Sequence, residues 1–356
     1  RSSRHGLNLT SDSHIGKFDF FRDIVVSRES RSPAVEPFMN RFFVQRACAA
    51  PLSLICTIAA WLAAGCTGGS ESATAGKPYA GQTLYVFNWS DYIAPGIVAE
   101  FEQRTGARVQ YDNYSSEAEL ETKLLAGGGG YDVVFPSDRS LAPLITHEVL
   151  AEIDKSQLTN WKNLDPKFLD SPRDPGNRYS VPYFWGTVAV GIRADRVAEP
   201  VAGFDVLFDD RYRGRISMLD DPENVVAIAM LHLGRPMNST DDADLAAVEK
   251  LLKAQAPLVQ AYTSDAFKEK LIKGEAWVAL GWNGDIVQAS EIDKNVRAVV
   301  PASGTMMWVD SIAVPKDARN PRLAHEFIDF LLDAEIAARN ADVVKYASPN
   351  AAAPEN

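Results

Sequence analysis

The stretch Thr83-Leu84-Tyr85-Val86-Phe87-Asn88-Trp89-Ser90-Asp91-Tyr92 decides the fold. Its first five residues form a short apolar run, the composition of a strand covered on both faces. Behind it come Trp89, Ser90, Asp91 and Tyr92, aromatic and polar side chains that a sheet interior would not hold. Ile93–Thr105 reads next as a helix, with Pro95 near its first turn and Gly106 stopping it. Arg108–Tyr114 alternates like a strand, and Ser116 with Glu119 forms a capping-box signature for a helix ending at Gly127. Tyr131–Phe135 is another strand. The run Gly127–Gly130 follows a helix and precedes a strand, the reverse of a phosphate loop, and reads as a helix stop.

A second set of elements follows Pro182-Tyr183-Phe184-Trp185-Gly186. Arg215–Leu219, Leu258–Tyr262, Ala276–Gly281 and Arg297–Val300 read as strands. Val225–Leu233, Leu245–Ala254, Ala266–Ile272 and Ile286–Glu291 read as the helices between them. Ser311–Val314 is a further strand and Pro321–Ala341 a long amphipathic helix. Strands alternating with helices argue for an α/β fold with a largely parallel sheet.

Upstream lies an apolar run, Ala47 to Cys66, that ends in Leu62-Ala63-Ala64-Gly65-Cys66. Arg41 and Arg46 precede it, and small residues close it, which is the layout of an export signal. It resembles the lipobox of bacterial lipoprotein signals, which implies a lipid on Cys66 and cleavage before it. A transmembrane anchor is the alternative, since about 18 to 20 residues can just span a bilayer. Met39 then begins the signal, 39–65. Residues 1–38 read as translated upstream sequence or as a disordered extension. Residues 66–79 are small and polar, as a flexible tether should be.

The expected mature chain, 66–356, has 291 residues, a length that suits two lobes with separate cores. The first 65 residues hold eight of the 36 Lys/Arg and five of the 47 Asp/Glu, leaving a net charge of −14 for the remainder. Nucleic acid is thereby disfavoured as a partner, because phosphate neutralisation needs basic surface. Of three cysteines, only Cys66 survives cleavage, so no internal disulfide is expected. His147, His232 and His325 lie far apart, and no metal or other cofactor is expected.

The chemistry gathers behind the strands. Trp89, Ser90, Asp91 and Tyr92 follow the first strand, Ser137 and Asp138 the third, Asp220 and Asp221 follow Arg215–Leu219, and Trp282 and Asp285 follow Ala276–Gly281. In open α/β sheets, ligands bind outside the carboxyl ends of strands. Indole and phenol faces attract ammonium groups, carboxylates add charge-assisted hydrogen bonds, and aromatic walls bury methylenes. The mixture points to a flexible, polycationic alkyl amine. Each tryptophan could instead be core or hinge packing.

From Leu84 to about Asn350 the chain resembles the periplasmic spermidine/putrescine-binding proteins of ABC transporters. The blocks that carry the resemblance are Leu84–Pro95, Tyr131–Ser137, Val181–Gly186, Gly281–Asp285 and Trp308–Pro315. It implies a two-lobe periplasmic-binding-protein (type II) fold with a hinged interlobe cleft. Lobe one would be 80–186 with 311–347, lobe two 187–310, and 348–356 a tail. It further implies that Trp89, Ser90, Tyr92 and Ser137 line the cleft from lobe one, with Trp282 as the aromatic wall of lobe two. Asp285, Asp310 and Asp221 match amine-binding acids, with Trp308 beside Asp310 and Tyr346 as a late cleft tyrosine. The implied partners are a polyamine and the permease subunits, with membrane attachment through Cys66 and a monomeric receptor.

Three departures stand out. Asn224 occupies a position where the family often has a glutamate. Arg139 stands where the spermidine type has a cleft tyrosine, so it either points away or suits a ligand with its own carboxylate. The chain also ends at Asn356, where relatives usually continue. An enzyme on the same two-lobe plan is the rival class, but no nucleophile–base arrangement stands out. Nearer rivals are receptors for an opine, agmatine, thiamine or ferric iron.

Overall fold

The computed structural model describes residues 76–127, 129–198 and 200–354. The expected extension 1–38, signal 39–65, Cys66 and the tether up to 75 lie outside the described residues.

Nine strands among the described residues join in one sheet system: β1 Thr83–Trp89, β2 Arg108–Tyr114, β3 Val133–Val134, β4 Ser180–Arg193, β5 Ile216–Met218, β6 Val259–Tyr262, β7 Val278–Trp282, β8 Val296–Val299 and β9 Met307–Ala313. Their order is β2-β1-β3-β9-β4-β7-β5-β6, with β8 also on β4. The unbroken apolar run in β1 has a plain cause. Leu84 and Val86 enter one core with Phe101, Phe184 and Phe327, while Phe87 enters another on the opposite face with Tyr114, Leu120 and Leu141. A strand buried on both faces cannot alternate apolar with polar.

A separate core holds Val188, Ile216, Met218, Ile228, Phe267 and Leu280. The molecule therefore has two lobes, and β4 passes between them. Its first half pairs antiparallel with β9, through Gly186↔Trp308 and Thr187↔Met307. Its second half pairs with β7 from Val188↔Trp282 onward and with β8 from Val190↔Val299. The sheet is consequently mixed. β1 runs parallel to β2 and β3, and β5 to β6 and β7, but a chain that crosses between lobes and returns must do so on opposed strands, here β4 and β9.

The helices depart from the periodicity at three points. The first, α1 Ile97–Thr105, starts four residues later than expected because Pro95-Gly96 precedes it and Gly96 sits at φ 89°. α2 Glu117–Leu125 takes its cap as expected, Ser116 accepting from Glu119 N. α3 Asp138–Thr146, with Pro143 inside it, was not announced by any periodicity. In lobe two lie α4 Pro222–His232, α5 Asp242–Gln255, α6 Phe267–Ile272 and α7 Asn283–Ile292. The long helix expected over Pro321–Ala341 is two helices, α8 Pro321–Leu331 and α9 Ala334–Val344, because Asp333 accepts from Glu335 N and Ile336 N and starts a new one.

Candidate functional site

The centre of the site is Asp310, on the crossing strand β9 and 7% exposed. Its Oδ2 accepts a hydrogen bond from the Tyr92 hydroxyl at 2.6 Å. Burial raises its pKa well above the usual carboxylate range. The Tyr92 bond opposes this, Glu117 and Asp138 add to it, and Arg139 partly offsets it. Burial of this kind favours the neutral acid, and a positive charge beside it would favour the ionised form.

Aromatic rings surround it. Tyr92 meets Tyr346 edge-on at 5.6 Å, Trp308 meets Tyr346 at 4.9 Å, and Trp282 meets Trp308 at 6.2 Å. Burial raises the pKa values of both tyrosines, so their hydroxyls stay protonated as donors. Trp282 packs against the cores of both lobes. The Trp308 Nε1 is buried with no hydrogen-bond partner among the described residues. Two glycines admit this cluster: a Cβ on Gly186 would lie 2.5 Å from Trp308 Cζ2, and one on Gly284 2.5 Å from Tyr346.

On one side of Asp310, α3 of lobe one faces α4 of lobe two. Arg139 holds Asp221, the α4 N-cap, by two hydrogen bonds of 3.0 and 2.6 Å, and its guanidinium is 3.6 Å from Glu223. Burial works against the Arg139 charge, but the Asp221 bonds and charge outweigh it and raise its pKa. Arg139 thus neither points away nor faces open cleft; it spans the lobes. The Ser137 Oγ and Asn224 Oδ1 beside this pair are buried without partners among the described residues. Glu117, buried behind Ser137, accepts from Ser137 N at 2.9 Å and from the Ser140 hydroxyl; burial raises its pKa.

On the other side, Asp285 opens α7. Its Oδ2 accepts from the Tyr346 hydroxyl at 2.8 Å and its Oδ1 from Lys268 Nζ at 3.3 Å. Lys268, on α6, also donates to Gln288 Oε1 and to Asp91 Oδ2, each at 2.9 Å. Burial raises the Asp285 pKa, with Lys268 and Tyr346 opposing. Burial disfavours the Lys268 charge, but Asp285 and Asp91 outweigh it. Asp91 belongs to lobe one, so this is a second ionic link across the cleft.

Trp89 and Ser90 stand apart from the aromatic cluster. The Trp89 indole N–H donates to Phe135 O at 3.1 Å and its ring leans on Tyr114 at 4.5 Å, while Ser90 is exposed at the same turn. Tyr92, Ser137, Asp221, Trp282, Asp285, Trp308, Asp310 and Tyr346 line the lobe-to-lobe boundary. Lys268 and Gln288 escaped sequence reasoning. Lys268 lies on a six-residue helix, one residue past the buried Phe267, where a lysine reads as solvated surface.

The sequence profile of the family described as "Bacterial extracellular solute-binding protein" matches residues 96–356. The chain belongs to this family. Among curated relatives, it is 38% identical over 315 residues to a putrescine-binding periplasmic protein of Escherichia coli (strain K12), covering 82% of this chain and 85% of the relative. It is 36% identical over 273 residues to a spermidine/putrescine-binding periplasmic protein of the same organism, covering 76% and 78%. Among solved structures, a spermidine/putrescine ABC transporter substrate-binding protein from Streptococcus pneumoniae superposes with a TM-score of 0.67 at 32% identity, covering 76% of this chain and 83% of that one. A lipoprotein of Treponema pallidum gives 0.70 at 27% identity, covering 76% and 88%. The two-lobe α/β fold expected from the sequence is the fold of these proteins.

Proposed function

We propose that the protein is the extracytoplasmic receptor of an ABC importer and binds a polyamine, putrescine or spermidine, between its lobes. The observation that carries this reading is Asp310, a buried carboxyl with a raised pKa, set among Tyr92, Trp308 and Tyr346 on a strand shared by both lobes. An ammonium beside Asp310 would supply the missing charge, and the rings would cover the methylenes at about 0.8 kcal/mol per CH2. The names of relatives at 36–38% identity support the same ligand class. In this reading Tyr92, Ser137 and Tyr346 contribute from lobe one (80–186 with 311–347), and Trp89 and Ser90 shape the turn that carries Tyr92. Asp221, Trp282 and Asp285 contribute from lobe two (187–310), and Trp308 and Asp310 from the crossover at its end.

Closure around the ligand would create the form that the permease subunits recognise. The receptor would act as a monomer held at the membrane by a lipid on Cys66, with no chemistry performed on the ligand. An opine is the weaker reading, because the Arg139 guanidinium already faces two carboxylates, Asp221 and Glu223. Calorimetric titration with putrescine, spermidine, agmatine and an opine tests the assignment. Saturable binding of an amine is expected; failure of all three amines would remove the polyamine reading.

A further inference from the structure

The cleft presents three buried or half-buried acids, and the chain itself supplies cations to two of them. Asp221 receives both terminal nitrogens of Arg139, at 3.0 and 2.6 Å. Asp285 shares Lys268 with Asp91, so that side has two carboxylates for one ammonium. Among the described residues, Asp310 has no cation in hydrogen-bond contact, and it accepts from the Tyr92 hydroxyl. The acids left for a ligand to pair are therefore Asp310, which a neighbouring ammonium would ionise, and the Asp91–Asp285 side. Tyr92 donates to the first acid and Tyr346 to the second, and their rings meet at 5.6 Å, so the two acids flank one aromatic cluster. Two acids on either side of one aromatic cluster suit two ammonium groups joined by an alkyl chain.

The geometry points to Arg139 as a specificity-determining residue that limits ligand length, so that the receptor takes α,ω-diamines and rejects triamines. This rests on the polyamine reading above. A chain extended past Asp310 toward α4 would bring its third ammonium against the Arg139 guanidinium. Asp221, the acid that could have received it, is already engaged bidentately. Like charges in a partly desolvated space repel strongly. The buried polar atoms left without partners there are neutral, the Ser137 Oγ and the Asn224 Oδ1, and Glu223, 3.6 Å from the guanidinium, is mostly exposed and already faces Arg139.

Calorimetry with putrescine and spermidine, on the wild type and on Arg139→Met, tests this limit. The wild type should prefer the diamine by roughly ten-fold or more, and Arg139→Met, by releasing Asp221, should raise the spermidine-to-putrescine affinity ratio by at least about ten-fold. Adding Asp221→Asn to Arg139→Met should take that gain away, and Arg139→Lys, which keeps the charge, should keep the triamine out. Circular dichroism of each variant confirms that folding is intact. A wild type that binds spermidine as tightly as putrescine, or a ratio unmoved in Arg139→Met, overturns the limit. If no amine binds the wild type, the receptor reading fails and the limit falls with it.

Discussion

Replacing Asp310 with asparagine separates two roles that the structure combines. In the folded protein the carboxyl is buried, and burial raises its pKa, with one hydrogen bond from Tyr92 at 2.6 Å opposing. An acid whose folded pKa lies above its unfolded value binds more protons folded than unfolded, so stability falls as pH rises. The fall starts near the unfolded value of about 3.9 and runs up to the raised folded value. Asp310→Asn, which mimics the neutral acid, should therefore melt higher than the wild type at pH 7 without ligand, and the two should converge at acid pH.

With a diamine the order reverses, because the ligand ammonium loses a hydrogen bond to a charged partner. Such a bond contributes about 1.5–3 kcal/mol, so affinity should drop by roughly ten- to a hundred-fold. Wild-type binding should also weaken on acidification through the raised pKa, since Asp310 must ionise to pair, while the variant should show a flatter profile. Calorimetry and thermal melts across pH 5 to 8 or so measure both arms. Equal affinities for the two proteins, with pH profiles that coincide, would refute the central role of Asp310.

Gly186→Ala should abolish or greatly weaken amine binding by displacing Trp308, whose Cζ2 would lie 2.5 Å from the new Cβ; loss of ligand-induced tryptophan fluorescence change reads this out. Lys268→Met should expose the Asp91–Asp285 side to the ligand and strengthen diamine binding by a few-fold while weakening closure of the free protein, seen as a larger radius of gyration in small-angle scattering. Raising salt to about 1 M, where screening acts within about 3 Å, should open the free wild type in the same assay. The diamine-bound form should change less.

Much of this arrangement was legible in the sequence, and the reasons differ by residue. β1, β2 and the capped helix α2 follow from local patterning, which needs no knowledge of partners. The acids and tryptophans behind the strands were found because fold geometry places strand ends together. β4 was harder: its fourteen residues include Pro182, Gly186 and Gly191, which read locally as turn or loop, yet they form the strand that joins both lobes. Gly186 and Gly191 are explained only by what approaches them, Trp308 for one and Leu271 for the other. Lys268 went unread, and Arg139 stood out without its partner, for a different reason. Their roles depend on acids 177 and 82 residues away, and no local pattern records an ion pair at that range.

Those two ion pairs bear on how closure could report ligand. Asp91 is 70% exposed, so its pair with Lys268 belongs with surface pairs, at up to about 1 kcal/mol. The Arg139–Asp221 pair is bidentate and more buried, but it must repay the desolvation of both groups before it adds anything. A ligand shifts the open–closed balance only by the difference in its affinity for the two forms. Moving a protein from mostly open to mostly closed takes about 5.5 kcal/mol of such difference. If the pairs alone supplied that much, the free receptor would stay closed and the transporter could not distinguish loaded from empty. Their modest strength, set against an uncompensated carboxyl at Asp310 that gains a partner when the lobes close on an amine, leaves the deciding share of closure to the ligand.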